Sequence, residues 1–141
     1  MDASERPSQW PLLLEDPAAI TEFFGSAPDL AAFRLISLHA DERDSGVTVG
    51  FERYGLPDRP TAQWREQGFN AFQFSLQLDR VTDLRISAWH GTPPETINLT
   101  SAESAPGVRF TVSGPHHDIQ VTATTASVVN VKAFMASPTA E

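Results

Sequence analysis

The chain has 141 residues, of which 40% are hydrophobic and 20% charged, a composition typical of a globular domain. A chain of this length buries roughly 68–70% of the surface that its unfolded form exposes, so it can form a core without covalent cross-links. It contains no cysteine, which excludes disulfides, thiol nucleophiles and zinc sites that need sulfur. The net charge of −8 argues against nucleic acid as a direct partner, because a phosphate backbone requires a basic surface.

The start of the chain does not resemble a targeting signal. Asp2 and Glu5 stand where a secretory signal carries positive charge, and the apolar run Leu12–Leu14 is much shorter than a signal core of about 7–15 residues. No stretch approaches the roughly 18 apolar residues of a membrane span. We therefore expect a cytoplasmic protein with no membrane partner, forming one domain over residues 1–141 with flexible tails at about 1–9 and 137–141.

The negative charge is concentrated in the first 52 residues. Ten acids and three arginines there give −7, whereas the other 89 residues, with eight acids and seven bases, contribute only −1. An acidic surface of this kind can steer a basic partner and raise its association rate. The simpler interpretation is that the charge keeps a small protein soluble.

One short helix is predicted near the start of the chain, over residues 16–25. Asp16 can cap it and Pro17 suits its first position, while Gly25 suits a left-handed end. Ile20, Phe23 and Phe24 share one helical face. This face predicts an amphipathic helix whose apolar side covers another surface.

From Phe33 onward, apolar and polar residues alternate with a period of two, which is typical of half-buried strands. Two further segments, 33–38 and 128–133, are more continuously apolar and bring the total to about eight. No helical segment separates the strands, which excludes parallel βαβ units. We expect an α+β fold, mainly an antiparallel β meander of about eight strands with one short N-terminal helix packed on the sheet. The six alternating segments are 47–51, 72–78, 84–88, 97–99, 108–112 and 119–123.

No metal site is predicted from the histidines. His116, His117 and Asp118 are adjacent, and neighbours on a strand point to opposite faces and cannot chelate one ion. His39 or His90 would complete a site only through a coincidence of the tertiary fold. We therefore expect the tripeptide to form a solvated turn.

Catalytic motifs are also missing. The acidic turn Asp41–Gly46 lacks the spacing of a calcium loop, so we interpret it as a solvated turn. The chain has no nucleophile elbow and no glycine-rich phosphate loop at a helix start. We expect no catalytic residues, no bound metal and no cofactor.

The longest irregular connection is Leu56–Gly68, which contains Asp58 and Trp64. A tryptophan in such a loop usually folds back onto the sheet as an anchor, and we favour that interpretation. The alternative is an exposed contact residue, because tryptophan is enriched at binding hot spots.

A series of landmarks extends from Trp10 to Trp89. They are Trp10-Pro11-Leu12-Leu13, the helix Asp16–Gly25, Pro28, Leu30, Leu38-His39, Pro57, Pro60, Trp64, Gly68-Phe69-Asn70 and Leu84-Arg85-Ile86-Ser87-Ala88-Trp89. Their order resembles that of the Imm50 family, immunity protein 50 of bacterial polymorphic toxin systems. Ala88 stands where we expect a glycine in that family.

The resemblance implies an antidote in the cytoplasm that binds and neutralises a cognate toxin domain and performs no catalysis. It does not identify the toxin and supplies no active-site residues. We predict that the partner contacts the acidic turn and the long connection, through Asp41, Glu42, Asp44, Asp58 and Trp64.

Two other functions remain open from the sequence. A small-ligand or carbohydrate-binding β module would need a concave pocket with exposed aromatic rings, and burial of both Trp64 and Trp89 would count against it. An enzyme would need two of His90, His116 and His117 to converge with an acid. An exposed edge strand could also pair two copies of the chain, and no residue pattern decides the oligomeric state.

Overall fold

The computed structural model describes residues 7–89, 93–102 and 107–137. Two short α-helices are present, α1 (Ala18–Thr21) and α2 (Ala62–Glu66), together with 3-10 turns at Pro7–Leu13, Leu30–Ala32 and Glu42–Asp44. The strands are β1 (Arg34–Asp41), β2 (Gly46–Tyr54), β3 (Ala71–Asp79), β4 (Asp83–Ala88), β5 (Thr96–Ser101), β6 (Val108–Gly114), β7 (His117–Ala123) and β8 (Thr125–Phe134).

The eight strands form two antiparallel four-stranded sheets, with the orders β1-β2-β3-β8 and β4-β7-β6-β5. The prediction of a mainly antiparallel β fold with about eight strands is confirmed. The strands do not form one meander, however, because β8 returns to pair with β3, and β7 pairs with β4. The order depends on pairing between distant segments, which the alternation within each strand does not encode.

The two sheets are joined at one corner, where β3 turns into β4 and β7 turns into β8. The Thr82 amide donates to the Thr122 carbonyl at 2.8 Å, and the Thr124 amide donates to the Asp79 carbonyl at 3.0 Å. These bonds satisfy backbone groups at the bend. Arg80 takes a left-handed conformation there, with φ of 57°.

A single hydrophobic cluster fills the space between the sheets. The rings of Phe51 on β2 and Phe110 on β6 meet across this space, with centroids 6.2 Å apart. Both side chains are fully buried, and removing a ring of that kind costs about 3–5 kcal/mol. The alternating residues seen in the sequence are therefore the inner faces of the two sheets.

The N-terminal segment packs on this core. Helix α1 is shorter than the predicted 16–25, and Gly25 is not left-handed. Asp16 Oδ1 accepts a bond from the Ala18 amide at 3.2 Å, inside the first turn. Ile20 and Phe24 are buried as the apolar face required.

A second N-terminal contact involves Trp10, which stacks on Phe74 with centroids 6.3 Å apart. Its indole nitrogen donates to the Pro28 carbonyl at 2.8 Å. Of the predicted tails, 1–6 and 138–141 lie outside the described residues, whereas Pro7–Leu13 forms a 3-10 turn. In the described part of the chain, no helix is long and apolar enough to cross a membrane.

Candidate functional site

The turn between β1 and β2 is organised by Asp41. Its Oδ1 accepts bonds from the backbone amide of Arg43 at 3.0 Å and from that side chain's Nε at 3.2 Å, and its Oδ2 accepts from the guanidinium at 3.0 Å. Bonds from the side chain and then the backbone of Arg43 lower the pKa of Asp41 below its ordinary value of 3.8. Glu42 and Asp44 are exposed. The turn is thus a fixed platform for two outward carboxylates.

Further acids surround this turn. A cavity of about 370 Å³ is lined in part by Asp41, Glu42 and Asp83, and a neighbouring one of about 350 Å³ by Glu15, Asp44 and Asp79. We call these six residues the acidic end. Arg43 and Arg85 are engaged with two of them, the latter through a 3.1 Å ion pair to Asp83. Arg80 also lines the second cavity. Six carboxylates against three arginines leave the acidic end with an excess of negative charge.

Asp58 has a structural partner in the loop after β2. Its Oδ2 accepts a bond from the Gly25 amide at 3.2 Å, and the adjacent Arg59 amide donates to the Phe23 carbonyl at 2.9 Å. These two bonds attach the loop to the segment that follows α1. Asp58 is therefore placed to hold the loop against the N-terminal segment.

Trp64 lies on α2, a helix that the sequence analysis did not predict. The Thr61 side chain caps this helix by accepting a bond from the Trp64 amide at 3.1 Å. The indole stacks on Phe23 with centroids 5.2 Å apart and meets the edge of Phe72 at 5.9 Å. Trp64 is half-buried and anchors the loop to the core.

The structure divides the predicted contact residues into two groups. The acidic turn lies at the start of β2, whereas Asp58 and Trp64 follow its end. The nine residues of β2 span about 26 Å at roughly 3.3 Å per residue. Asp41, Glu42 and Asp44 therefore form one group, and Asp58 and Trp64 lie at the opposite end of the sheet.

Trp89 lines a further cavity, which the sequence analysis did not assign to the site. This cavity encloses about 690 Å³, and the Trp89 side chain is 41% exposed. Polar groups enter it from β1, β2 and β7. Its lining includes Arg34, Leu35, Ile36, Glu52, Trp89 and His117.

His117 corrects the prediction of a solvated turn over His116–Asp118. The turn itself contains Pro115 and His116, but β7 begins at His117, whose side chain is only 4% exposed. The strand alternation places it on the inner face with Ile119 and Val121. The apolar alternation of β7 was the available signal, since it extends back by two residues to His117.

Beside these cavities, β1 and β4 form an open side of the molecule. The larger cavity lies between the start of β1 and Trp89, just beyond β4. The 370 Å³ cavity lies between Ala40 and Asp41 of β1 and the segment Val81–Leu84, where β4 begins. The two strands therefore border the same side of the molecule, although they belong to different sheets and are not paired.

Within the ranges that the structure describes, no three His, Asp or Glu side chains are grouped so that they could hold a metal ion. His90 lies outside those ranges. What the arrangement offers is a charged end, an open side and a cavity with one exposed aromatic ring. These features can bind a partner through shape and charge.

A family model described as Imm50, immunity protein 50, matches residues 16–134. The match covers α1 and all eight strands. Comparison with curated proteins and with solved structures finds no match. Because the family model spans most of the sequence, the chain belongs to the Imm50 family.

Proposed function

We propose that this chain is a non-catalytic antidote that binds a cognate bacterial toxin domain and neutralises it within a protein–protein complex. Family membership carries the proposal, since immunity proteins act on a protein partner. The toxin is the only partner that the proposal requires. In this proposal the chain meets the toxin in the cytoplasm.

The contact surface that we propose begins at the acidic end. Glu42 and Asp44 are exposed on a turn that Asp41 and Arg43 hold in place, so ordering the backbone of the turn on binding costs little entropy. A negative patch of this kind attracts a basic surface and accelerates encounter. Asp41, Glu42 and Asp44 are therefore the proposed charge contacts with the toxin.

Asp58 and Trp64 have a different place in the proposal. Both are engaged inside the chain, Asp58 with the Gly25 amide and Trp64 with Phe23 and Phe72. A standard interface buries about 800 Å² on each partner, and an interface of that size centred on the acidic end does not need to reach them. We propose that these two residues support the fold and that toxin binding does not depend on them.

A small-ligand or carbohydrate-binding module is the second candidate, favoured by the cavity beside Trp89. Its volume of about 690 Å³ falls in the range of small-molecule sites, and the exposed indole is a surface on which a sugar ring can stack. Trp64 does not contribute, because it packs on the core. The cavity thus offers one aromatic ring where this function would benefit from two.

Co-expression tests the proposed function. Bacteria that express the toxin domain encoded beside this chain should resume growth when the chain is co-expressed, and the two proteins should purify together in a one-to-one ratio. The matched control is a toxin domain from an unrelated system, which the chain should neither bind nor neutralise.

A different result would decide against the proposal. If the chain fails to rescue growth and does not purify with its neighbouring toxin domain, the antidote function is wrong. The second candidate takes its place if the unaltered chain binds an oligosaccharide on a glycan array and a Trp89→Ala variant does not bind it.

A further inference from the structure

The open side exposes apolar residues that belong to the inner faces of the sheets. On β4, Leu84 is paired with Val121 and Ile86 with Ile119; paired residues share a face, and both β7 partners are fully buried. Leu84 and Ile86 are nevertheless 37% and 46% exposed. They face the core side of the sheet, but no strand of the other sheet covers them.

The same situation holds on β1. Leu35, Leu38 and Ala40 are paired with residues of β2 whose side chains are fully buried, yet Ala40 is exposed and the two leucines are half-buried. We call the space between these strands the β1–β4 groove, lined by Leu35, Leu38, Ala40, Leu84, Ile86 and Trp89. These six side chains are apolar, and the polar side chains of Arg34, Glu52 and His117 lie at the end of the groove next to Trp89.

The other two edges of the sheets are treated differently. A parallel bridge from Leu14 to Ala126, with a 2.9 Å bond from the Glu15 amide to the Ala126 carbonyl, covers part of the β8 edge. The β5 edge packs beside the 3-10 turns Pro7–Leu13 and Leu30–Ala32. Within the described ranges, β1 pairs only with β2 and β4 only with β7, so one row of backbone groups on each strand is unpaired.

The regular parts of both edges lie near the acidic end. A bulge interrupts β1 between Leu35 and Ser37, which leaves Ser37–Asp41 regular. Another bulge interrupts β4 between Ile86 and Ala88. An unpaired regular edge without proline is a template for an added strand, and here the carboxylates of Asp41, Glu42 and Asp83 line its end.

We propose that the β1–β4 groove receives an extended segment of the toxin, which hydrogen-bonds to the free edge of β1 as an added strand. Alternate apolar side chains of this segment pack on Leu38, Leu84 and Ile86, and a lysine or arginine of the segment lies against the acidic end. The inference rests on the proposed function and specifies how the toxin is held. Recognition by strand addition combines backbone bonds for affinity with side-chain pockets for specificity.

Charge distinguishes this occupant from a second copy of the chain. A second copy would bring another net charge of −8 to a groove that already ends in carboxylates. A basic toxin segment would instead neutralise them and gain charge-assisted contacts. The groove therefore fits a basic, alternating segment better than it fits itself.

Hydrogen exchange measured by mass spectrometry tests the inference on the unaltered chain. The probe is the neighbouring toxin domain, inactivated in its own active site, added in excess. Amides of Ser37–Asp41 should exchange roughly tenfold more slowly in the complex, because edge amides that exchange freely become paired. Strands β5 and β6 lie on the side of their sheet away from β4; they serve as the internal control, and their exchange should not change.

A pair of matched variants supplies the second measurement. Replacing both Leu84 and Ile86 by serine should weaken toxin binding roughly 30-fold without a change of charge, because the apolar contacts are lost. The control replaces Gln120 and Thr122, on the opposite face of the same sheet, by serine and should leave the affinity unchanged. Exchange on the unaltered chain keeps the test valid even if the first variant folds poorly.

Three outcomes overturn the inference. Toxin binding without protection of Ser37–Asp41 would place the contact elsewhere and leave the proposed function intact. A free chain that sediments as a dimer and dissociates when Leu84 and Ile86 are replaced would assign the groove to a second copy. If the unaltered chain does not bind the toxin domain at all, the proposed function and this inference are both wrong.

Discussion

Asp41 connects charge and local structure at the scale of single residues. The carboxylate accepts one bond from a backbone amide and two from the side chain of the same residue, Arg43. Bonds to the charged form favour it, so the pKa of Asp41 is lowered and that of Arg43 is raised. The acidic turn predicted as solvated is exposed, but its backbone is fixed by this pair.

The first prediction concerns the titration of Asp41. Its carboxyl carbon, followed by NMR, should titrate below 3.8, and an Arg43→Ala variant should raise the midpoint. The pKa of Asp41 is lower in the folded chain than in the unfolded chain. The pair therefore stabilises the folded chain fully at pH values above the unfolded-state pKa, and this stabilisation is lost as the pH falls through the folded-state pKa. An unchanged Asp41 midpoint in the variant would contradict the role given to Arg43.

Trp64 is the residue for which the sequence left two roles open. The loop position and the aromatic type are compatible with an anchor and with a contact residue. Only the tertiary packing distinguishes the two, because it places the indole against both Phe23 and Phe72. These partners are separated from it in sequence, so no local pattern predicts the contact.

The second prediction separates stability from binding at this position. Trp64→Ala should lower the free energy of unfolding by about 2 kcal/mol, less than for a fully buried ring, as measured by urea denaturation. Gln63→Ala, on the exposed side of the same helix, should stay within about 0.5 kcal/mol of the parent chain. Toxin affinity measured well below the unfolding temperature should be equal for all three proteins, and a large loss for Trp64→Ala alone would make it a contact residue.

Among the elements, the positions of the strands could be predicted from the sequence, but which strands pair with each other could not. Alternation of Val47, Val49 and Phe51 located β2 and its inner face, because each strand buries one side. The pairing of β3 with β8 joins segments some 50 residues apart and leaves no local signal. The β1–β4 groove could not be predicted for the same reason. The alternation places Leu84 and Ile86 on the inner face, but they are exposed because no strand of the other sheet covers them.

The bulge in β1 depends on a small residue in β2. A Cβ on Gly50 would lie 2.5 Å from Ser37 Oγ and 3.2 Å from Ile36 Cγ1. Ile36 is the extra residue of the bulge, between the pairs Leu35–Phe51 and Ser37–Gly50. Gly50 therefore allows β1 to lie close to β2 at this point.

The third prediction follows from that contact. Gly50→Val should displace Ile36 and Ser37 and lower the free energy of unfolding by about 1–3 kcal/mol, the usual cost of overpacking. Hydrogen exchange of β1 should accelerate, while exchange of β6 stays constant. Thr48→Val, two residues earlier on the same face, is the control. Equal stability of the two variants would show that the close approach of β1 to Gly50 does not contribute to the free energy of unfolding.

At the scale of the whole molecule, the acidic end and the β1–β4 groove lie on the same side. The acidic end lies at one end of the groove, and the chain as a whole carries −8. Long-range attraction governs how fast a basic partner arrives, whereas apolar and backbone contacts govern how long it stays. The sequence predicted the acidic contribution; it did not predict that an open apolar side lies next to it.

The fourth prediction uses this division. Glu42→Lys combined with Asp44→Lys should slow association with the toxin domain about tenfold at low salt, with little change in dissociation. At 1 M salt, where the Debye length is about 3 Å, the difference should nearly vanish. Glu66→Lys, a like change at the far end of the sheet, is the control, and the unfolding temperature of the double variant should be nearly unchanged. Association that is as fast as in the parent chain at low salt would remove the acidic turn from the interface.

The most direct test of neutralisation by binding alone is a titration of toxin activity with this chain. At a toxin concentration far above the dissociation constant, the account predicts a linear fall in activity that reaches its minimum at one equivalent. Toxin recovered from the complex under denaturing conditions and refolded should regain its activity. Complete inhibition at a small fraction of an equivalent, or permanent loss of activity in the recovered toxin, would contradict a stoichiometric, non-catalytic antidote.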